Sequence, residues 1–320
     1  MAETTKKIKF AGPITKRLDI FLTEKLKISR SQAQKILIEN DIFVNEKKIN
    51  KAGHWLKNND QIIIKQKPKE KITAIKKELV KKTNYKIKIV SETKDYLVIE
   101  KPNGLLTHST DKNEPDSLAA ILVKKYPELK KVGDDPKRPG IVHRLDKEAS
   151  GLLVVARTQK MFENLKNQFK NRLVEKEYSV LVHGQVAKDW DEIKFPIERS
   201  RTSDRMAAIP ATLRGEATIS GKNALTEFWV EKRFVNFTLL RVKIHTGRMH
   251  QIRVHMLSYN HPVVGDPLYF QKKRKNKWDK ICGRLFLHCT HLAFSDLDNQ
   301  RQEFKSSIPK ELENFLPLLK

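Results

Sequence analysis

The sequence predicts an α+β protein with two domains, a small one at the N-terminus and a larger one built mainly on antiparallel strands. Its 320 residues exceed the usual size of a single domain. Apolar residues recur at helical spacing near the N-terminus, whereas beyond residue 85 they alternate or form the short runs typical of strands. A lysine-rich segment separates the two patterns. We therefore expect a domain over 1–66, a linker over 67–84 and a second domain over 85–320.

The N-terminal domain is predicted to contain two helices followed by short strands. Residues Arg17–Leu26 place apolar side chains on one helical face, and Ser29 can cap a second helix over 30–39. The apolar residues of 42–44 and 61–65 favour strands. These elements make a small α+β unit.

The charge distribution indicates a polyanionic partner. The formal net charge is +26, and residues 1–90 alone contain 23 Lys or Arg against 9 Asp or Glu. Such a basic surface binds nucleic acid because counterions are released from the phosphates. The second helix would direct Arg30, Gln34 and Lys35 outward, where they could contact this partner.

Several classes of protein are excluded by what the sequence lacks. No apolar run approaches the ~18 residues that a membrane-spanning helix needs, and the N-terminus shows no apolar signal-peptide core. Two cysteines, Cys282 and Cys289, make no disulfide framework. There is neither a phosphate-cradling glycine-rich loop nor a dinucleotide fingerprint, so we expect no nucleotide cofactor. We expect a cytoplasmic protein without membrane association.

The second domain is predicted to be rich in strands, with few helices, which favours an antiparallel α+β arrangement. The predicted strands are Ile87–Val90, Tyr96–Ile99, Gly151–Ala156, Tyr178–His183, Leu225–Val230 and Phe237–His245. The predicted helices are Ser117–Tyr126, Gln159–Asn171 and Met249–Ser258.

An aspartate in a short loop is the first candidate for chemistry. Turn-forming residues precede and follow Asp146, and an apolar strand begins directly after this loop. Arg144 lies two residues away, so in an extended segment both side chains would point the same way. A carboxylate kept ionised by a guanidinium is what a covalent nucleophile requires. The alternative, which spacing alone favours, is a surface ion pair; Arg17-Leu18-Asp19 repeats the tripeptide in the first helix.

The segment His245–His255 is a second candidate. A strand ends there, Gly247 turns the chain, and Arg248 stands near the positive N-terminus of the following helix, a position suited to binding a carboxylate or a phosphate. The three histidines of this segment are five residues apart, and each step rotates a helix by about 140°, so they share no face. The histidines and cysteines near residue 285 also lack the paired short spacing of a zinc site. We expect no metal.

Two further segments contain one candidate each. Tyr178 opens an apolar strand, where a tyrosine of the hydrophobic core is the commoner case and a catalytic role is the alternative. Lys101 ends a strand before a Pro-Asn-Gly turn, where it could bind a phosphate or carboxylate of a substrate or simply be solvated.

Taken together, these segments resemble the RluA/RluD-type family of RNA pseudouridine synthases. The resemblance covers most of residues 85–315 and implies a mixed, mainly antiparallel sheet with a central active-site cleft. It depends on four ordered blocks, His143–Val154, His245–His255, His261–Tyr269 and Arg284–His288. The N-terminal domain resembles the αL-type (S4) RNA-binding domain, through Arg17–Leu22, Ser29–Leu37 and Val44-Asn45.

The resemblance implies a role for each matching residue. Asp146 matches the family's catalytic aspartate, Tyr178 its active-site tyrosine, and Arg248 the arginine that pairs with the aspartate. Arg144 matches the residue that fills the space left by a flipped base, and Leu287 matches an apolar residue that bounds the uracil pocket.

In the N-terminal domain, RNA contacts are expected from basic and polar residues of the two helices and from the cap of the second. These residues are Arg17, Ser29, Arg30, Gln34 and Lys35.

The implied activity is the isomerisation of uridine to pseudouridine in RNA, without a cofactor, by a monomer. The appended domain favours large-subunit ribosomal RNA or a pre-ribosomal particle as the partner. One alternative is a non-catalytic RNA-binding or ribosome-assembly factor, which would be expected to have lost at least one of Asp146, Tyr178 and Arg248. Another is a nuclease that depends on a metal ion, which metal analysis would reveal.

Overall fold

The computed structural model describes residues 5–12, 15–28, 32–33, 36, 40–49, 53–66, 85–109, 116–200, 205–209, 221–271 and 277–320. The chain divides into two compact units, Met1–Asn84 and Tyr85–Lys320. The predicted linker over 67–84 and most of the predicted second helix over 30–39 lie outside the described residues. In the part of the chain that is described, no helix is long and apolar enough to cross a membrane.

The described elements of the N-terminal unit are β1 Thr5–Lys9, β2 Lys16–Arg17, α1 Leu18–Leu26, β3 Asn40–Val44, β4 Lys47–Lys48, β5 Trp55–Leu56 and β6 Gln61–Gln66. Four of the strands form an antiparallel sheet in the order β1-β6-β3-β4, and β2 pairs with β5 in a separate two-stranded sheet. The predicted first helix and both predicted strands are confirmed to within two residues. Strand β1 has no counterpart among the predictions.

Apolar side chains from the helix and the sheet form the core of this unit. Leu18 and Leu22 of α1 are fully buried, as is Ile62 of β6. The turn between β3 and β4 has positive φ at both Asn45 and Glu46, as two-residue hairpin turns require.

The C-terminal unit is built on one large sheet. Its described strands are β7 Lys88–Glu92, β8 Tyr96–Lys101, β9 Ser150–Ala156, β10 Glu175–His183, β11 Trp190–Ile193, β12 Ile197–Arg199, β13 Met206–Ala208, β14 Thr226–Arg233, β15 Phe237–Ile244, β16 Leu287–Ser295 and β17 Arg301–Lys305. Its described α-helices are α2 Leu118–Lys125, α3 Gln159–Lys170, α4 Gln251–Ser258, α5 Lys277–Cys282 and α6 Lys310–Glu313, and two short 3₁₀ helices span Pro127–Lys131 and Leu316–Leu318.

Nine of these strands form a mixed, mainly antiparallel sheet. The order is β11-β14-β15-β10-β16-β9-β8-β7, with β17 paired to β16. Within this sheet, β9 and β16 are parallel, and the other described pairs are antiparallel. The predicted fold class is therefore confirmed.

All six predicted strands and all three predicted helices of this unit are present. The structure shows a side-chain cap at the start of two of these helices: Ser117 Oγ accepts a hydrogen bond from Ala120 N–H, and Thr158 Oγ1 accepts one from Met161 N–H. The central strand β16 and its neighbour β17 were not predicted. Histidines, a cysteine and a threonine interrupt the apolar pattern of β16, so periodicity does not reveal it.

Gly151 allows the parallel pair to form. It lies opposite Cys289 in β16, and its φ is +117°. A Cβ at this position would overlap the Cys289 backbone. The close approach of β9 to β16 brings the end of the Asp146 loop next to Leu287.

Candidate active site

A cavity of about 510 Å³ opens in the C-terminal unit where the loop before β9 meets β10, β16 and the turn before α4. Among the described residues that line it, Asp146 is the one carboxylate. The cations in the lining are Arg138, Arg144, Lys170, Arg172, Lys176 and Arg248. A concave surface with this charge attracts a polyanion.

The loop that carries Asp146 is fixed by hydrogen bonds to the segment after β8. Thr107 Oγ1 donates to the Leu145 carbonyl at 2.9 Å and accepts from Leu145 N–H at 3.3 Å. Gly104 N–H donates to the Lys147 carbonyl at 2.8 Å. These bonds hold the backbone on both sides of Asp146, so its carboxylate is positioned at the cavity wall.

Asp146 forms its ion pair with Arg253, which lies in the first turn of α4. Arg253 Nη1 lies 3.2 Å from Asp146 Oδ2, and the Asp146 side chain is 15% exposed. Asp266 holds the other edge of the buried guanidinium, with Nε–Oδ2 and Nη2–Oδ1 distances of 2.7 Å each. Burial alone would lower the pKa of Arg253, but Asp266 and Asp146 outweigh it and raise that pKa above its ordinary value. The guanidinium therefore stays charged beside the carboxylate.

Asp266 is itself fixed in place. Its Oδ1 accepts hydrogen bonds from Leu268 N–H at 2.8 Å and Tyr269 N–H at 2.9 Å. The Arg253 guanidinium also lies over the Tyr269 ring, 5.1 Å from its centroid. Arg253 is thus confined by a bidentate carboxylate and an aromatic face, so it presents Nη1 to Asp146 in one orientation.

The structure corrects the pairing predicted for Arg248. Its Nε donates to the Asn223 carbonyl at 3.0 Å, and the ion pair to Asp146 comes from Arg253 instead. The reason lies in the turn before α4, where Gln251 Oε1 accepts from Arg248 N–H at 3.0 Å. This bond holds Arg248 ahead of the helix, whereas Arg253 lies on the buried side of the helix itself. Arg248 still lines the cavity.

The structure also corrects the substrate-binding role predicted for Lys101. This residue is 1% exposed and does not line the cavity. Its Nζ donates to the carbonyls of Pro102 and Leu105 at 2.8 Å and of Lys147 at 3.3 Å. Three carbonyls satisfy the three N–H groups of an ammonium ion, and burial lowers the pKa of Lys101 to about 7. Lys101 therefore ties the Asp146 loop to β8 and does not reach a substrate.

Tyr178 and Leu287 form an apolar part of the cavity wall. Both side chains are buried, and they lie on the adjacent strands β10 and β16. Burial raises the pKa of Tyr178 well above its ordinary value, and the nearby Cys289 and Asp146 raise it further. The phenol stays protonated and offers a flat face to a planar ligand.

Arg144 lies at the exposed rim of the cavity. Its side chain takes part in no hydrogen bond or ion pair to the described residues, including Asp146. The structure thus brings Asp146, Tyr178, Arg144, Leu287 and Arg248 to one cavity, as the sequence predicted. Arg144, which belongs to the same Arg-Leu-Asp tripeptide, is not the guanidinium partner of Asp146.

The histidines of the segment before and within α4 contact separate partners. The contacts are His245 Nε2 with Glu227 Oε2 at 2.6 Å, His250 Nδ1 with Tyr269 Oη at 2.9 Å, and His255 Nδ1 with Thr226 Oγ1 at 2.9 Å. Among the described residues, no group of three or more His, Cys, Asp or Glu is arranged to hold a metal ion.

Of the residues predicted to bind RNA in the N-terminal unit, only Arg17 lies within the described part of the chain. Arg17 forms a two-point ion pair with Asp19, with Nε–Oδ1 at 3.0 Å and Nη2–Oδ2 at 3.1 Å. An RNA contact by this engaged guanidinium stays a prediction. Ser29, Arg30, Gln34 and Lys35 lie outside the described residues.

Sequence reasoning missed Arg253, Asp266 and Gln251. All three lie inside the blocks His245–His255 and His261–Tyr269. The sequence therefore drew attention to these segments, but it did not show which side chains these residues contact. One signal was available. Helix α4 is apolar on several sides and is buried from Gln251 to Met256, and an arginine within such a helix requires a carboxylate partner.

Comparison with known proteins identifies the family of each domain. The family model of RNA pseudouridylate synthases matches residues 95–258, and that of the S4 domain matches residues 16–62. An RNA pseudouridine synthase of Aquifex aeolicus is 40% identical over 256 residues, covering 79% of this chain and 76% of that protein. Ribosomal large subunit pseudouridine synthase D of Yersinia pestis is 32% identical over 315 residues, covering 95% and 91%.

A solved structure shows the same fold. Human RNA Pseudouridylate Synthase Domain Containing 1 superposes with a TM-score of 0.57 at 25% identity, covering 72% of this chain and 87% of that one. The family match includes the Asp146 loop, Tyr178 and Arg253. The chain therefore belongs to the RNA pseudouridylate synthase family and has an S4 domain ahead of its catalytic domain.

Proposed function

We propose that this enzyme converts uridine to pseudouridine in large-subunit ribosomal RNA, with Asp146 as the nucleophile. The observation that carries this proposal is the state of the Asp146 carboxylate. One of its oxygens is held by the buried Arg253 at 3.2 Å, while the side chain keeps partial exposure to a cavity lined with cations. The name of the Yersinia pestis relative, ribosomal large subunit pseudouridine synthase D, supports the choice of RNA.

A uridine within folded RNA must first leave its stack, which costs a few kcal/mol. Arg144 is suited to offset this cost because it is exposed at the cavity rim and has no described partner to give up. Guanidinium planes stack on bases. Arg144 would occupy the space that the base vacates.

The flipped uracil would lie against Tyr178 and Leu287. The Asp146 carboxylate then attacks either the anomeric carbon of the ribose or the uracil ring. The bond between C1′ and N1 breaks, the base turns, and a bond forms between C1′ and C5. The C5 proton is lost and N1 ends protonated, so the reaction is a balanced isomerisation and needs no cofactor.

Arg253 keeps Asp146 oriented throughout, because its guanidinium is already confined by Asp266. Tyr178 is protonated at the start, so its phenol acts first as a stacking surface. The phenol can accept a proton only after it has given its own proton to another group.

The S4 domain would add phosphate contacts that do not depend on sequence. We place the enzyme in the cytoplasm, acting as a monomer on ribosomal RNA or a pre-ribosomal particle during ribosome biogenesis.

The proposal is tested with purified full-length protein and unmodified transcripts. Large-subunit rRNA, small-subunit rRNA and a pool of tRNAs are incubated separately, digested to nucleosides and separated by chromatography. We expect pseudouridine in the large-subunit transcript alone. Product only in tRNA would refute the choice of RNA, and no product in any RNA, including native pre-ribosomal particles, would favour a non-catalytic RNA-binding factor.

A further inference from the structure

One wall of the cavity contains a buried cation that the reaction described above does not use. Lys176 lies on β10, two residues before Tyr178, and is 8% exposed. It lines the cavity. Its ammonium forms no hydrogen bond or ion pair with the described residues, and its described contact is with the Phe169 ring, 5.0 Å from Nζ to the centroid. Burial of an ammonium without a carboxylate is costly.

The acidic neighbours of Lys176 on its own strand do not neutralise it. Glu175 is paired with Arg301, and Glu177 is paired with Arg241 at 3.0 Å. A β-bulge between Glu177 and Tyr178 interrupts the register with β16, and bulges of this kind redirect side chains beside active sites. The two glutamates are thus committed elsewhere, while Lys176 and Tyr178 both reach the cavity.

A second donor lies on the same wall. The His143 ring stacks on Phe169 with centroids 4.7 Å apart, and its Nε2 accepts a hydrogen bond from Val154 N–H at 3.0 Å. Burial lowers the pKa of His143 well below its ordinary value, so the ring is neutral. A neutral imidazole that accepts at Nε2 must have its proton on Nδ1. That N–H has no partner among the described residues.

We propose that Lys176 and His143, supported by Phe169, form a subsite for a phosphate group that adjoins the target uridine. This inference rests on the proposed function, since an RNA substrate is what would bring a phosphate into the cavity. Burial lowers the pKa of Lys176. A lysine and an N–H donor that line the same cavity suit an anion better than a neutral uracil oxygen. Lys170 and Arg172 line the same cavity and increase its attraction for a phosphate.

The subsite is tested with uridine and its 3′- and 5′-monophosphates as probes of the full-length protein. Binding is followed through the lysine side-chain methylene signals by NMR. We expect at least one monophosphate to bind about tenfold more tightly than uridine and to shift the Lys176 signal. Equal affinities for uridine and both monophosphates, or no detectable binding of either monophosphate at about 10 mM, would overturn the subsite.

Variants locate the effect. Lys176→Met removes the charge and keeps most of the side-chain volume, so it should reduce monophosphate affinity to that of uridine. Lys176→Arg should retain the preference. Lys160→Met is the matched control, because Lys160 is an exposed lysine of α3 that does not line the cavity. If Lys176→Met and Lys160→Met bind monophosphate equally well, the assignment to Lys176 is wrong.

Binding of these probes does not require turnover, so the subsite and the proposed function can fail separately. Discrimination that depends on Lys176, in a protein that forms no pseudouridine, would refute the function alone. Pseudouridine formation by a protein that does not distinguish uridine from its monophosphates would refute the subsite alone. If Lys176→Met unfolds, the wild-type comparison and Lys176→Arg still decide the question.

Discussion

The tripeptide Arg-Leu-Asp occurs once in each unit of this protein, and the aspartates of the two copies have different partners. In the N-terminal unit, Asp19 is fully buried and Arg17 closes on it with two hydrogen bonds of 3.0 and 3.1 Å. In the C-terminal unit, Arg144 remains exposed, and Asp146 is paired with Arg253, 107 residues further along the chain.

The difference separates a carboxylate whose two oxygens are both engaged by its neighbours from one that keeps an oxygen open to a ligand. Asp19 Oδ1 also accepts from Ile20 N–H at 3.1 Å, so local groups satisfy both its oxygens. Asp146 keeps its Oδ1 without a described hydrogen bond, and its Oδ2 is held from another element. A distant partner fixes the carboxylate and leaves Arg144, two residues before it in sequence, available for a ligand.

Removing each aspartate in turn gives the largest expected contrast. Asp146→Asn removes the proposed nucleophile with little change in volume, so turnover should fall by about 10⁴-fold or more while RNA binding stays nearly intact. Asp19→Asn should weaken the N-terminal unit but leave turnover at saturating RNA within about threefold. Single-turnover kinetics with both variants make the comparison. Normal turnover by Asp146→Asn would refute its role as the nucleophile.

The arginine that pairs with Asp146 can be identified by substitution. Arg253→Met leaves Asp266 buried without its partner, and breaking a buried ion pair of this kind costs about 3–5 kcal/mol. Arg248→Met removes a half-buried side chain bonded to one carbonyl and should cost less than about 1 kcal/mol. Denaturant unfolding of the two variants distinguishes them. An equal loss of stability would mean that Arg248 shares the structural role assigned to Arg253.

Acid should destabilise the C-terminal unit before the N-terminal one. Burial lowers the pKa of five histidines in the C-terminal unit, His108, His143, His250, His255 and His288, the last to about 4. Between pH 6.5 and 4 the unfolded chain binds more protons than the folded one, so stability is lost as the pH falls through this window. For His288 alone the loss at pH 5 is about 2 kcal/mol.

Hydrogen exchange at pH 7 and pH 5, analysed separately for the two units, measures this effect after correction for the intrinsic exchange rates. His288→Gln should reduce the loss in the C-terminal unit. Equal protection of that unit at both pH values would contradict the assignment of neutral buried histidines.

The exposed arginine of the second tripeptide should give a smaller effect that depends on the RNA. Arg144→Ala should slow the reaction about tenfold more on structured RNA than on an unstructured oligomer, because only a stacked uridine needs its space filled. Arg17→Ala is the control, since its guanidinium is engaged with Asp19. Equal slowing of Arg144→Ala on both RNAs would count against its role in base flipping.

Periodicity was sufficient to predict much of the fold. Apolar residues at helical spacing predicted the three helices of the C-terminal unit, and the short apolar runs predicted six strands of the large sheet. Strand β16 was not predicted because its polar residues are buried against partners from distant parts of the chain. One example is the contact of His288 Nδ1 with Ser150 Oγ at 2.8 Å. Such pairing depends on tertiary contacts, which local patterns do not encode.

The residues of the candidate site could be predicted, but their tertiary contacts could not. Asp146, Tyr178, Arg144 and Leu287 were placed at one cavity through the family resemblance. The predicted partner of Asp146 was wrong, because Arg248 was named and the structure shows Arg253. The choice between these two arginines, five residues apart, depends on which one faces Asp266. Lys101 looked like a ligand-binding cation because the sequence does not show that three carbonyls surround its ammonium.

The central claim is that Asp146, held by Arg253, forms pseudouridine in ribosomal RNA. Its most direct test is a transcriptome-wide map of pseudouridines in cells that lack the gene, complemented with the wild-type or the Asp146→Asn protein at equal abundance. We predict that specific large-subunit sites disappear on deletion and return with the wild type but not with Asp146→Asn. Full restoration by Asp146→Asn, or maps that do not change on deletion, would contradict the account.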